Sequence, residues 1–332
     1  MHCELIVPGL FAEASGTRAP ALELLLARGR GASTESKSPE AWLQQAFGLE
    51  GEALAAGALT LAAAGGEPGT HCWGRADPVH LRLMRDRLIV VPSAAFALSR
   101  DEAEALAEAL NRHFGDRMSL RPLEPGRWCA RLDRHFAFNA ASPLDAAGRD
   151  VDLSPHIGGE AGRRWATLLN EAQMLLHAHP VNLAREARGE PVVNSLWLWG
   201  VGTAPRVPPS RWQSVCADDP VALGLARLAG ARHLRLPERA EGWLESVPQE
   251  GRHLVLLDAL RAPLALGNSA EYGECIAALE SRWFAPLLAA LRGGRVGMVT
   301  VHVPERLGAS FETIRGDLRR FWRRPRSLEK YA

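Results

Sequence analysis

Apolar and polar positions along this chain alternate with two periods, and the period changes mark its segments. Residues 3–7 (CELIV) are a short strand-forming run closed by Pro8-Gly9, which predicts a buried strand and a turn. Helical spacing predicts helices over 20–28, 39–48 and 51–64, and Ser38 before Pro39 supplies a cap and a first-turn proline. Between the first two helices, 29–38 (GRGASTESKS) is polar and reads as a flexible loop. After the breaker cluster Gly65-Gly66-Glu67-Pro68-Gly69 the texture shifts to short strands at 71–75, 79–84 and 87–91. A helix at 99–113 follows, then strands near 118–121 and 128–132. Ser99 and Glu102 have capping-box spacing, and Leu98, Leu106 and Leu110 share a helix face. This block reads as a compact α+β module inserted into a larger α/β protein.

Beyond Pro143 the pattern predicts helices at 160–178 and 180–188, a strand at 194–199 and another near 212–216. A helix at 219–228 follows, with Asp219 as its cap, then strands at 231–235, 252–257 and 295–301. A long helix over 269–291 carries Ile276, Leu279, Trp283 and Leu287 on one stripe, with Pro286 as the kink. Strand–helix alternation of this kind predicts an α/β fold with a mostly parallel sheet and helices on both faces.

Composition narrows the function classes. The chain has 332 residues, 47% hydrophobic and 23% charged, enough to bury a large core. A net charge of +1 argues against a polyanion binder that works by bulk electrostatics. The five cysteines (Cys3, Cys72, Cys129, Cys216, Cys275) form no C-x-x-C pair and read as buried free thiols of a reducing compartment. The opening MHCELIVPGLF lacks the features of a signal peptide, and no apolar run reaches membrane-spanning length. A cytoplasmic protein is expected.

The densest set of chemistry-bearing residues is 170–202, NEAQMLLHAHPVNLAREARGEPVVNSLWLWGVG. Asn170, Gln173 and His177 fall on one helix face, either a solvent face or a polar stripe. Pro180 starts a new helix, so His179 and Asn182 are placed to satisfy backbone groups at the break or to face a ligand. Arg185 and Arg188 fit an anion or a carboxylate partner. Asn194 stands at a strand start, and Trp197 and Trp199 alternate toward one side of the sheet. Gly200-Val201-Gly202 lacks the spacing of a phosphate loop and is followed by prolines. Asp258 ends the strand LVLLD, and His302 ends VGMVTVH. Asp77, before Pro78, reads as a turn residue. In RGDLRRFWRRPR (315–326), arginines surround Phe321 and Trp322. Such a segment fits phosphates, or docks on the protein's own acidic surface with both rings packed down; the low net charge favours docking.

The segment HPVNLAREARGEPVVNSLWLWGVG resembles a motif of the archaeal-type cofactor-independent phosphoglycerate mutases, members of the alkaline phosphatase superfamily. The matching residues are His179, Pro180, Asn182, Arg185, Gly189, Pro191 and Asn194. Asp86-Arg87 falls where that family has Asp-Arg. Nearly the whole chain, including FWRRPR, also resembles a bacterial family of RpfE-type regulatory proteins. The resemblance implies an alkaline-phosphatase-like α/β core over 1–66 and 137–332, with an inserted α+β domain over 67–136. It implies ligand-binding candidates His179, Asn182, Arg185 and Asn194.

The mutases use a two-metal site and a serine nucleophile, and here the chain departs from them. The family's first strand ends in Asp-Gly, but this one ends in Pro8-Gly9. Later ligand positions hold Pro263 or Leu264, and the last strand ends Val301-His302 where the family has Asp-His. Trp199 stands where many mutases carry Arg. Apolar side chains cannot ligate a hard divalent cation, which leaves Asp258, Asn268 and His302 as remnant candidates. The resemblance therefore implies a non-catalytic regulatory or ligand-binding protein with no cofactor. An active metal-dependent phosphomutase or phosphatase holding Mn or Zn is the alternative, and a nucleic-acid-binding regulator acting through the arginine-rich segment is the second. A small anionic ligand or a protein is the expected partner; nucleic acid and membrane are not.

Overall fold

In the computed structural model, which describes residues 1–13, 16–84, 87–133, 140–147, 159–305 and 308–331, the chain opens with β1 (His2–Ile6), α1 (Pro20–Arg28), β2 (Arg30–Ser33) and α2 (Pro39–Ala46). Asp86 lies outside these residues. Next come α3 (Ala56–Ala63), β3 (Cys72–Met84), β4 (Arg87–Pro92), α4 (Arg100–Phe114), β5 (Met118–Glu124) and β6 (Arg127–Leu132). They are followed by α5 (Pro143–Ala146), α6 (Gly159–His177), α7 (Pro180–Ala187), β7 (Ser195–Gly202), β8 (Ser214–Cys216) and α8 (Pro220–Leu228). The last elements are β9 (Arg232–Leu234), α9 (Ala240–Ser246), β10 (Arg252–Leu256), α10 (Arg261–Ala265), α11 (Ser269–Leu279), α12 (Ala285–Gly293), β11 (Met298–Val303) and β12 (Ala309–Ile314). The chain forms two compact units, residues 1–50 with 207–332, and residues 51–206.

The first unit is built on a seven-stranded sheet of order β2-β12-β11-β1-β10-β8-β9. β11, β1, β10, β8 and β9 run parallel, while β12 and β2 add antiparallel at one edge. One face of the parallel strands presents Cys3, Leu5, Val7, Val255, Leu257, Val299 and Val301 to the leucines of α1, Trp243 of α9 and the apolar stripe of α11 and α12. Each leucine so buried contributes about 2 kcal/mol. Strand alternation puts Glu4, Thr300 and His302 on the other face, where Trp42 of α2 packs 5.0 Å from the His302 ring. Helices thus cover both faces of a largely parallel sheet, as the alternation predicts.

Pro286 lies just past a single π-helical stretch, Glu280–Phe284, that joins α11 to α12. Proline lacks a donor and clashes with the carbonyl four residues back, and the wider turn relieves both. The turn also puts the Glu280 carboxylate against the start of α1, where it accepts from the backbone N–H of Ala21 at 2.7 Å and of Leu22 at 3.2 Å. Ala19 has no side chain to cap that helix, so Glu280 supplies the acceptor from 259 residues away.

The second unit is a five-stranded antiparallel sheet of order β4-β3-β6-β5, with β7 also paired to β3. It reaches beyond the expected 67–136 on both sides, because β7 pairs with β3 from Trp73 to Val79 and α3 packs on these strands. The strands expected at 71–75 and 79–84 are one strand, β3, running through Asp77 and Pro78. Pro78 breaks no ladder within the sheet because the strand turns from pairing β6 to pairing β4 around it.

Small residues set the closeness of α3 to the sheet. A Cβ on Gly57 would stand 2.4–2.6 Å from the Gly74 backbone, and one on Gly200 would meet Ala56 Cβ at 2.3 Å. Gly200 also has φ +55°, which side chains rarely adopt. The Gly-Val-Gly of β7 is therefore a packing device. Gly57→Ala is expected to lower unfolding free energy by about 1–3 kcal/mol through overpacking, read as a drop in the urea midpoint. An unchanged midpoint would show that the helix shifts freely.

Candidate functional site

Each of the four ligand-binding candidates makes hydrogen bonds within the protein. His179 is the N-cap of α7, with Nδ1 accepting the Val181 N–H at 3.2 Å, and burial lowers the pKa of its ring. Asn182, only 3% exposed, donates through Nδ2 to the carbonyls of Leu176 and Val193 at 2.7 Å each. Its Oδ1 accepts the Val193 N–H at 2.9 Å, so one side chain ties the end of α6 to the start of β7. Asn194 does the same for the sheet, accepting from Leu81 N–H at 2.7 Å and donating to Leu81 O at 2.9 Å.

Arg185, one helical turn from Asn182, is 1% exposed. Its guanidinium donates to Pro191 O, Ala97 O and the Glu102 carboxylate, each at 2.8 Å. Glu102 is also the capping-box residue of α4, accepting the Ser99 N–H at 3.0 Å while Ser99 Oγ caps Glu102 N–H. Burial alone would raise the Glu102 carboxyl, but the Ser99 N–H and the two arginines, Arg185 and Arg188, outweigh it and lower its pKa. Arg185 thus joins α4, α7 and the segment before β7. Gln173 bonds Ser195 Oγ at 3.4 Å, while Asn170 and His177 face solvent.

Asp77 is no turn residue. It is buried on β3, and its Oδ1 accepts from Arg75 Nε at 3.0 Å, Arg75 Nη2 at 2.7 Å and Trp128 N–H at 3.1 Å. Its Oδ2 accepts the Trp199 indole N–H at 2.8 Å, and the Arg75 guanidinium lies 5.2 Å from the Trp199 ring centroid. Arg75 and Asp77 alternate onto one face of a strand, a spacing that carries the signal for such a pair in the sequence.

In parallel sheets ligands bind outside the carboxyl ends of the strands. Here that edge of β1, β10 and β11 carries Pro8-Gly9, Leu257-Asp258 and Val303-Pro304-Glu305. Glu305 Oε2 accepts the Gly9 N–H at 3.1 Å, and burial raises the Glu305 pKa. Tyr272 Oη donates to Gly9 O at 2.8 Å, and Arg261 pairs with Glu40 at 2.7 Å. Asp258 is half-buried, and its carbonyl accepts the Arg261 N–H at 3.0 Å. Asn268 is the N-cap of α11, accepting the Glu271 N–H at 3.2 Å and donating to the Glu271 carboxylate at 2.8 Å. His302 faces Glu4 and Trp42. No three His, Cys, Asp or Glu side chains are placed to hold a metal ion among the described residues.

The Glu4 carboxylate was not foreseen as a site. It is 2% exposed on the central strand. Arg252 reaches it at 2.7 Å, His302 Nε2 at 3.6 Å, and Arg211 and His2 at 3.7 Å each. Burial alone would raise this carboxyl, but His302 and Arg252 facing it win and hold it at about 2.

All five cysteines are free, four of them buried. In 315–326, Arg320 and Arg323 dock on backbone carbonyls and not on an acidic surface, and Phe321 and Trp322 are 78% and 66% exposed, which corrects the expected packing of both rings. The two arginines donate to the carbonyls of Arg28 and Gly29 at the end of α1. No described helix is long and apolar enough to cross a membrane.

The class defined here is a mixed α/β protein with a largely parallel sheet and a second, antiparallel unit. Its sequence is similar to the 2,3-bisphosphoglycerate-independent phosphoglycerate mutase of Methanosarcina barkeri, 27% identical over 213 residues, 58% of this chain and 52% of that protein. A probable enzyme of the same name from Geobacter sulfurreducens is 27% identical over 198 residues, 57% of this chain and 48% of that one. The chain spans about half the length of the curated relatives it matches. No protein-family model matches it. The solved PH0037 protein of Pyrococcus horikoshii shares the fold, with a TM-score of 0.60 at 13% identity over 94% of this chain and 87% of that chain.

Two outcomes test these assignments. Arg185→Ala removes one of the two arginine partners of Glu102 and the donor to two carbonyls, and is expected to cost roughly 3 kcal/mol of stability. A variant that keeps its melting temperature but loses binding of an anion such as phosphate would make Arg185 a ligand residue. Glu4, lowered from 4.5 to about 2, contributes stability that is present above pH 4.5 and lost as pH falls toward 2. With half-exposed arginine partners that contribution is about 2 kcal/mol. Glu4→Gln is therefore expected to flatten the acid limb of the stability profile between those pH values; an unchanged limb would remove Glu4 from it.

Proposed function

We propose that this chain is a phosphoglycerate-mutase-like protein with a degraded metal site, acting as a cytoplasmic, non-catalytic regulatory or ligand-binding protein of the RpfE type. The observation that carries this reading is the carboxyl edge of β1, where Pro8-Gly9 is bound on both backbone sides by Glu305 and Tyr272. A two-metal phosphotransfer centre needs several anionic ligands converging on one point, to offset the metals' charge. The groups at this edge do not fit that requirement. Asn268 caps a helix, and His302 sits over Trp42 against a carboxylate that Arg252 and Arg211 already surround. Cationic side chains beside the buried Glu4 carboxylate oppose a divalent ion there. Buried free thiols support a reducing compartment.

Purified protein is expected to contain no stoichiometric manganese or zinc. Its melting temperature is expected to stay unchanged in millimolar Mn or Zn, since only a ligand that binds the folded state shifts it. Interconversion of 2- and 3-phosphoglycerate should be undetectable. Stoichiometric metal with mutase or phosphatase turnover would overturn the proposal in favour of an active metalloenzyme.

A further inference from the structure

Residues 315–326 carry six arginines and one aspartate, on a chain whose net charge is only +1. The aspartate, Asp317, is buried and paired with Arg320 at 2.7 Å. The positive charge is therefore local, and the rest of the molecule is acidic. The turn that holds it is fixed from beneath. Arg320 Nη1 donates to Arg28 O at 3.1 Å, Arg323 Nη1 donates to Gly29 O at 2.7 Å, and Arg28 donates to Leu318 O. The Arg28 and Gly29 carbonyls are at the C-terminal end of α1, where orphan acceptors and the negative end of the helix dipole favour cations. Between those two anchors Phe321 and Trp322 point outward. Their centroids are 5.2 Å apart and their planes lie at 83°. Arg315, Arg319, Arg324 and Arg326 are exposed, and none pairs with a carboxylate among the described residues.

We propose that this turn docks on an anionic lipid surface, with Phe321 and Trp322 entering the headgroup layer and the exposed arginines meeting lipid phosphates and carboxylates. Three features carry it. Trp and Phe beside arginine are the side chains that settle at a membrane–water boundary, ring inward and charge outward. Charge is complementary, since a basic cluster is drawn to an acidic leaflet over a Debye length while the acidic remainder is repelled, which orients the approach. The perpendicular rings form a wedge; single-stranded nucleic acid instead needs successive ring faces along a basic groove. Because Arg320 and Arg323 already hold the turn, little ordering is left for binding.

The test is flotation of the full chain with vesicles of phosphatidylcholine, with and without phosphatidylserine, at about 0.1 M salt. Binding is expected only with phosphatidylserine, and is expected to fade toward about 1 M salt. Phe321→Ala with Trp322→Ala should weaken it at least about tenfold. Both side chains are exposed, so the melting temperature of that double variant should be unchanged, separating lost docking from lost folding. Absence of binding to acidic vesicles, or binding equal in the double variant, would overturn the proposal. So would binding of a single-stranded oligonucleotide without vesicle binding, or self-association in sedimentation that the double variant abolishes.

Discussion

Glu4 places a carboxylate in the middle of a parallel sheet, and much of the first unit is arranged around that constraint. A charge removed from water is tolerated only when opposite charge or donors surround it. β10 brings Arg252, β11 brings His302, and the segment before β8 brings Arg211, each from a different part of the sequence. The in-register pairing of β1 with both β10 and β11 is what lets them meet. A slip of one residue would turn Glu4 into the apolar face that holds Leu5 and Val7. The buried charge thus penalises any other register.

The second unit solves the equivalent problem twice. Asp77 collects Arg75, Trp128 and Trp199 on one sheet face, and Arg185 collects Glu102 and two carbonyls where α4, α7 and β7 meet. Side chains whose polar atoms are already committed have little left for a ligand. This explains how the stretch most similar in pattern to an enzyme motif can persist here: Asn182 and Arg185 hold backbone segments in place whether or not any chemistry takes place nearby. The strand ends of the first unit follow the same logic, with Glu305 and Tyr272 engaging the backbone of Gly9.

Several elements were legible because their signals are local. Ser38, Ser99 with Glu102 and Asp219 each cap the helix they precede, and prolines open α1, α2, α7 and α8. The parallel strands β1, β10 and β11 were legible as apolar runs. β2 was read as loop because its four residues are polar and exposed; it becomes a strand only through β12, itself a half-polar run without a clear period. Asp77 was read as a turn residue because Asp-Pro usually turns, and only its place between β6 and β7 gives the carboxylate its four donors. Phe321 and Trp322 were expected to pack inward, as aromatic rings usually do, but their neighbours are anchored by their guanidiniums, leaving the rings outside.

The sequence by itself determined the longer helices, the caps at Ser38, Ser99 and Asp219, the apolar strands and the mixed α/β class, because period and capping act within a few residues. Tertiary structure alone decided what the polar residues do. Glu280 caps a helix more than 250 residues away, Arg185 closes a junction and Glu4 gathers cations, because a buried polar group's role is set by the partners that folding brings to it.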